Sequence, residues 1–296
     1  MKKFLLYICL ILLGVVIADK LFSLAVDAIT HKHYVAPLAH TEGACEDIAI
    51  IGSSRASHHY DPQIIADSLG MTAYNYGIEG LNIYADHVLL SMLLDKAAKK
   101  PQMVILDLSE SDICDVPGWN TEHISMLFPY AGEPAVDSVL ADVLDPREYA
   151  MVRVSALYRH NSRLIDYLKD HTPKGNNGMT ALEGVWSGLP REEMQQSYQV
   201  SPSKLAYLEK FVSLCQDNGI RLVLATSPNY KRLPPKQQWV EETRRIAKAH
   251  SVEYLYHEQD EDFLHHPEWF NEPYHLNATG AAIYTKRIIP SLPSPE

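Results

Sequence analysis

The feature that most constrains this chain is an alternation of two patterns. Short apolar runs occur at Asp47–Ile51, Ala73–Tyr76, Met103–Leu108, Arg221–Ala225 and Val252–Tyr256. Between them lie segments with helical spacing. Pro62–Leu69 starts behind Asp61 as cap and first-turn proline. Asn82–Lys100 carries Ile83, Val88, Leu89, Met92 and Leu93 on one face, and Pro101 stops it. Lys204–Asn218 carries Leu205, Leu208, Phe211, Val212 and Cys215 before Gly219, a natural terminator. A further helix opens at Pro235 with Trp239, Thr243 and Ile246 on one face, and Asn277–Ile289 reads as the last. Such strands, separated by helices, belong in a parallel sheet covered on both faces. The expectation is an α/β chain: a three-layer α/β/α sandwich around a five-stranded parallel sheet. Residues Ile113 to Val200 break the pattern and are rich in Pro, Gly, Asn and His. They read as an insertion between the third and fourth strands, with helices near Pro134–Asp142 and Tyr149–Lys169, and as a candidate cap over a site.

The N-terminus has its own pattern. Lys2-Lys3 precede an uncharged run from Phe4 to Ala18, Asp19-Lys20 end it, and a weaker apolar stretch runs from Leu21 to Ile29. Positive charge ahead of the run predicts export of the rest of the chain. The helical pattern continues past Val16-Ile17-Ala18, where a signal peptidase would cut. Residues 1–29 are therefore read as an uncleaved signal anchor, with a cleaved signal as the alternative. Residues 30–46 become a linker and 47–292 the globular domain. That places the protein as a single-pass membrane protein with its domain outside the cytoplasm, in the periplasm or at the cell surface.

At 296 residues and 46% hydrophobic, the chain can bury a sizeable core. A formal charge of −11, with no basic run longer than pairs such as Lys2-Lys3 and Lys99-Lys100, argues against a nucleic-acid partner. Cys9, Cys45, Cys114 and Cys215 are far apart and form no CxxC pair, so they read as free thiols, and zinc spacing is absent. The pairs His58-His59 and His265-His266 read as exposed, because adjacent histidines point in different directions on regular structure. No metal and no cofactor is implied.

Two stretches carry chemistry. In "IAIIGSSRASHH" a serine, Ser54, follows directly on a buried strand, where its hydroxyl lies near backbone N–H groups able to stabilise an oxyanion. A serine needs a base. In "WFNEPYHLNATGA" His275 follows Glu272 by three residues in a turn before the last helix. A carboxylate so placed can fold back on Nδ1 and leave Nε2 for a serine. No GxSxG elbow is present, which argues against the common α/β-hydrolase arrangement. Arg55 could recognise a carboxylate or phosphate, or form a helix-terminal salt bridge. Asp107, Glu110 and Asp112 either shape a pocket or sit on a solvated loop.

Taken together, strand-"GSSR", "NYGIEG", "LDLSESD" and "EPYHLN" resemble the SGNH/GDSL hydrolases, over roughly Asp47 to Ile289 with the insertion unmatched. Within them the chain looks most like the membrane-anchored, extracytoplasmic DltD-like and AlgX-like branch. The resemblance implies an SGNH/flavodoxin-like fold. It implies Ser54 as nucleophile, His275 as base and Glu272 in the place of the usual aspartate. It also implies an oxyanion hole from the backbone N–H groups of Ser54 and Gly80 and the side chain of Ser111, which stands for the family's asparagine. Asn277 and Arg55 are candidate substrate contacts.

The implied function is a membrane-tethered serine esterase or O-acyltransferase. Its substrates would be acyl esters, notably acetyl, of cell-surface or exported glycans. A membrane-bound O-acyltransferase is a candidate partner. The alternative is a catalytically degenerate SGNH-like protein that binds or presents a glycan or lipid carrier, favoured by Ser111 and Glu272.

Overall fold

The computed structural model describes residues 2–30, 36–117, 123–160, 176–187, 198–231 and 237–292. Its centre is a five-stranded sheet of β1 (Ile48–Gly52), β2 (Ala73–Asn75), β3 (Met103–Asp107), β4 (Arg221–Thr226) and β5 (Glu253–Tyr256). The strand order is β2-β1-β3-β4-β5 and every pairing is parallel. All residues of β1 and β3 are buried, as expected of strands covered on both faces.

The helices begin and end where local chemistry dictates. Asp61 accepts from Gln63 N–H and Ile64 N–H at the head of Pro62–Leu69, and Gly70 ends that helix in the left-handed region. Asn82 caps Ile83–Lys96, and Pro202–Asp217 and Gln238–Ala249 follow. The last helix is Ala278–Ile288. The expected Pro235 start lies outside the described residues.

Of the elements that had no counterpart in the sequence pattern, two bear on the site. One is a short helix, Ser54–His59, immediately after β1. The other is an antiparallel hairpin of β6 (Phe270–Glu272) and β7 (His275–Leu276).

The chain divides into two compact units. One holds His40–Ile124 and Pro173–Glu296, and so the whole sheet. The other joins Met1–Ala39 to Ser125–Thr172. The flanks of the insertion thus belong with the sheet, where Cys114 bridges Val200. Its middle groups with the N-terminal helix instead. Within that second unit, helices run at Pro134–Val143, Pro146–Val154 and Ala156–His160. Helix Tyr149–Lys169 is therefore interrupted at Ser155, and its end lies outside the described residues. The N-terminal helix, Lys2–Thr30, contains a 25-residue apolar stretch, Lys2–Val26, whose most apolar 18 residues have a mean hydropathy of 2.4. By length and composition it could cross a membrane or serve as a signal sequence.

Candidate active site

In a sheet of order 2-1-3-4-5 the connections leave β1 and β3 in opposite directions, and the crevice beyond their carboxyl ends is where such folds bind ligands. Gly52 at the end of β1 sits opposite Asp107 at the end of β3. A cleft of about 370 Å³ opens there, lined by Ser54 from the β1 side, Ser109 to Ser111 from the β3 side, and His275 from the hairpin.

Ser54 is the first residue of the Ser54–His59 helix, and Ser53 before it makes no side-chain cap. First-turn N–H groups have no intrahelical acceptor, so this helix start presents donors beside the Ser54 hydroxyl. Ser54 Oγ lies 2.7 Å from His275 Nε2. On the other side of the ring, His275 Nδ1 donates to Glu272 Oε1. The carboxylate accepts only, so the proton of that bond sits on Nδ1 and Nε2 is left to accept from Ser54. The hairpin explains how glutamate manages this reach. Glu272 and His275 are directly opposed across β6 and β7, and Glu272 Oε2 also takes the Tyr274 N–H at 3.1 Å. Burial works against the Glu272 charge, but the hydrogen bonds from His275 and Tyr274 outweigh it and hold its carboxyl below the ordinary value.

The two histidines expected to be exposed, His58 and His59, are buried, and both face His275. Their rings lie edge-on to it, with centroids 5.2 Å away for His58 and 6.0 Å for His59. They lie on one turn of a helix whose sides are both enclosed, which adjacency alone does not reveal. His59 Nε2 accepts the Leu276 N–H at 3.0 Å and Nδ1 donates to Ser227 Oγ at 2.8 Å, so the ring is neutral and fastens β7 one residue after His275. Burial, with His275 and Arg55 nearby, keeps its pKa well below the ordinary value. His58 Nδ1 bonds the Thr180 carbonyl at 2.7 Å, and Nε2 lies 3.4 Å from the Glu79 carboxylate.

That contact tethers the loop carrying Gly80. Gly80 has φ +75°, and a Cβ there would come within 3.0 Å of His123 Nδ1. Gly77 allows closer contact still, since a Cβ would sit 2.3 Å from Ser57 N of the helix that carries Ser54. The "NYGIEG" motif therefore presses the loop after β2 against the nucleophile's helix. Gly80 is not among the residues lining the cleft.

Ser111 lines the cleft, but its hydroxyl is engaged. Ser109 Oγ donates to Asp112 Oδ2 at 2.6 Å and lies 2.9 Å from Ser111 Oγ. A serine has one hydroxyl proton. With that of Ser109 on the carboxylate, the Ser109–Ser111 bond takes its proton from Ser111. While Asp112 is ionised, Ser111 has none left for an oxyanion, so the side-chain donor expected there is not supplied. Asp112 is wholly buried. Burial raises its pKa to about 6, against the pull of the Ser109 donors, Arg55 and Lys204. Neighbouring Asp86 is also pushed up, by burial and by the charges of Asp112 and Asp107.

The two candidate substrate contacts are both engaged within the protein, although Arg55 also lines the cleft. Arg55 is 5% exposed. Its Nη1 bonds the Ser227 carbonyl at 3.2 Å and Glu258 at 3.3 Å, its Nη2 bonds the Leu108 carbonyl at 2.7 Å, and its Nε faces Asp107 at 3.6 Å. Burial opposes its charge, yet Asp107 and Glu258 raise its pKa. A guanidinium neutralised by two carboxylates locks the strand ends and does not await an anion. Asn277 is buried and donates to the carbonyls of Gly184, Glu268 and Phe270, while its Oδ1 caps Gly280 N–H. It has no amide hydrogen left for a ligand. Asp107 and Asp112 are core, not a solvated loop, and Glu110 lines the cleft. Among the described residues no group of three or more metal-ligating side chains is assembled.

No family model matches the chain, and no curated protein matches it. Solved structures similar to it include a candidate platelet activating factor from Streptococcus pneumonia (13% identity, 93% of this chain and 98% of that one, TM-score 0.47). A candidate lipolytic protein of the G-D-S-L family from Desulfitobacterium hafniense is another (12%, 83% and 98%, TM-score 0.42). A third is an acetyl xylan esterase from Geobacillus stearothermophilus (11%, 86% and 100%, TM-score 0.41). At these values the chemistry of the site rests on its own geometry.

Proposed function

We propose that this chain is an SGNH-type serine esterase or O-acyltransferase, exported and tethered to the membrane, which acts on acyl esters, notably acetyl esters, of surface or exported glycans. The observation that carries the reading is the Ser54–His275–Glu272 relay at the switch-point cleft. Ser54 Oγ attacks the ester carbonyl, and its proton passes to His275 Nε2 while Glu272 stabilises the imidazolium. The oxyanion falls to backbone N–H groups at the start of the Ser54–His59 helix, that of Ser54 first; Gly80, the second donor the resemblance implies, does not line the cleft. His275 returns the proton to the departing alcohol. The acyl group then leaves Ser54 for water in an esterase or for a sugar hydroxyl in a transferase.

A glycan suits the cleft's lining. Tyr198 and Tyr274 are exposed at its wall, where an aromatic face suits a sugar ring, although Lys231 already lies over Tyr274, and Asn229 and Glu110 add polar groups to the lining. The intact relay favours an enzyme over a binding-only protein, because a presenting protein has no use for a base aligned on a serine. Hydrolysis of short-chain p-nitrophenyl esters tests this. Wild type turns them over, and Ser54→Ala and His275→Ala each lose on the order of 10⁴-fold in kcat/KM. Turnover that survives Ser54→Ala unchanged overturns the assignment.

A further inference from the structure

The uncharged part of the N-terminal helix is by itself short of a full membrane span. Its uncharged run from Phe4 to Ala18 covers only about 22 Å at 1.5 Å per residue, against a hydrocarbon core of about 30 Å. A full span of about 20 residues must take in Asp19 and the turn beyond it. An unpartnered carboxylate there would keep the helix from sinking further.

Asp19 has partners. It is 7% exposed, and its carboxylate accepts from Ser155 Oγ at 2.8 Å, Ala156 N–H at 3.0 Å and Leu157 N–H at 2.9 Å. Those are the first donors of helix Ala156–His160, capped from another element. Phe22 approaches His160 further along, with ring centroids 6.4 Å apart. All of this lies within the unit of Met1–Ala39 and Ser125–Thr172. Because Leu157 is hydrogen-bonded to Asp19, the two share one depth. On the two docked elements Leu21, Leu24, Met151, Val154, Leu157 and Tyr158 are exposed, as are the side chains of the apolar run.

We propose that Pro146–His160 is a membrane foot. It seats in the lipid interface beside the N-terminal helix, with Met151, Val154, Leu157 and Tyr158 against lipid and Asp19 shielded by the docked backbone. The depth that gives the helix a full span carries these residues into the interface with it, and tyrosine is at home at that level. The occupant of these apolar side chains is therefore lipid, because Asp19 fastens their segment directly to the anchor's own helix. The inference rests on reading Lys2–Thr30 as an anchor, and the test separates the two.

Full-length protein is placed in nanodiscs of phosphatidylcholine and phosphatidylglycerol, carrying one environment-sensitive thiol probe. Cys9 and Cys45 are exposed and Cys114 and Cys215 buried. Cys45→Ser therefore leaves the probe on Cys9, and Cys9→Ser/Cys45→Ser serves as background for Val154→Cys or, as a solvent reference, Lys286→Cys. The expected result is that probes at positions 9 and 154 are quenched at least threefold more by brominated lipid than by iodide, with the reverse at position 286. A probe at 154 that iodide quenches as freely as at 286, with position 9 still in lipid, overturns the foot and leaves the anchor standing. Iodide access at both 9 and 154 overturns both. A probe at 154 shielded from iodide and lipid alike means a protein covers this surface and also overturns the proposal.

Discussion

Arg55→Met separates an anion receptor from a structural lock. The guanidinium is buried and shared between Asp107 and Glu258, which are 0% and 3% exposed. Methionine keeps the length and removes the charge. Asp107 then retains the Tyr60 hydroxyl and the Ser227 N–H, and Glu258 retains the Tyr256 hydroxyl, but neither has a cation. Stranding a buried charge costs about 3–5 kcal/mol, a fall in Tm of roughly 6–20 °C for a domain of this size. The loss depends on pH. Burial already raises both carboxyl pKa values, and Arg55 is what opposes the rise. Without Arg55 they rise further, so the folded state holds these protons more tightly than the unfolded one. Stability then falls as pH climbs from the unfolded value near 4 to the folded value. Each unit by which a folded pKa exceeds pH 5 returns about 1.4 kcal/mol there, closing roughly half the gap to wild type. Thermal melts of both proteins at pH 5 and pH 8 measure this. A gap under about 2 °C at pH 8, or one wider at pH 5, refutes the lock. An unchanged Tm with selective loss of turnover on anionic esters restores the receptor reading.

Ser111→Ala is expected to change kcat on p-nitrophenyl acetate by less than about threefold above pH 7. Removal of a working oxyanion donor costs about 10²–10³, and a loss of that size refutes the proton assignment along Ser111, Ser109 and Asp112. Asn277→Ala removes a cap and three carbonyl contacts. It should cost about 2–4 kcal/mol by chemical denaturation, with KM for the ester unchanged. A rise in KM at unchanged stability would return Asn277 to the substrate.

The sheet was legible because β1, β3 and β4 are nearly pure apolar runs closed by a turn or a charge, a pattern that buried parallel strands require. Ser54, His275 and Glu272 were legible for a different reason: two local signals, a serine after a strand and an acid three residues before a histidine, stand at opposite ends of the chain. What escaped was long-range burial. His58 and His59 look like surface residues until the helix bearing them is seen enclosed, and Arg55 looks like a receptor until carboxylates from far along the chain converge on it. Asn277 belongs to the same class, since its partners Gly184 and Glu268 lie in other segments. The β6–β7 hairpin was hidden because its strands are of three and two residues. Its Pro273-Tyr274 turn nonetheless lets glutamate stand where the resemblance expects aspartate.

The central claim is that Ser54 is a nucleophile activated by His275. Intact-mass spectrometry after incubation with a fluorophosphonate measures this most directly, on wild type, Ser54→Ala and His275→Ala, each shown to be folded. The account predicts one adduct on wild type, mapped to the peptide containing Ser54, none on Ser54→Ala, and labelling slowed on the order of 10³-fold or more on His275→Ala. Wild type that stays unmodified, or an adduct that persists on Ser54→Ala, contradicts it.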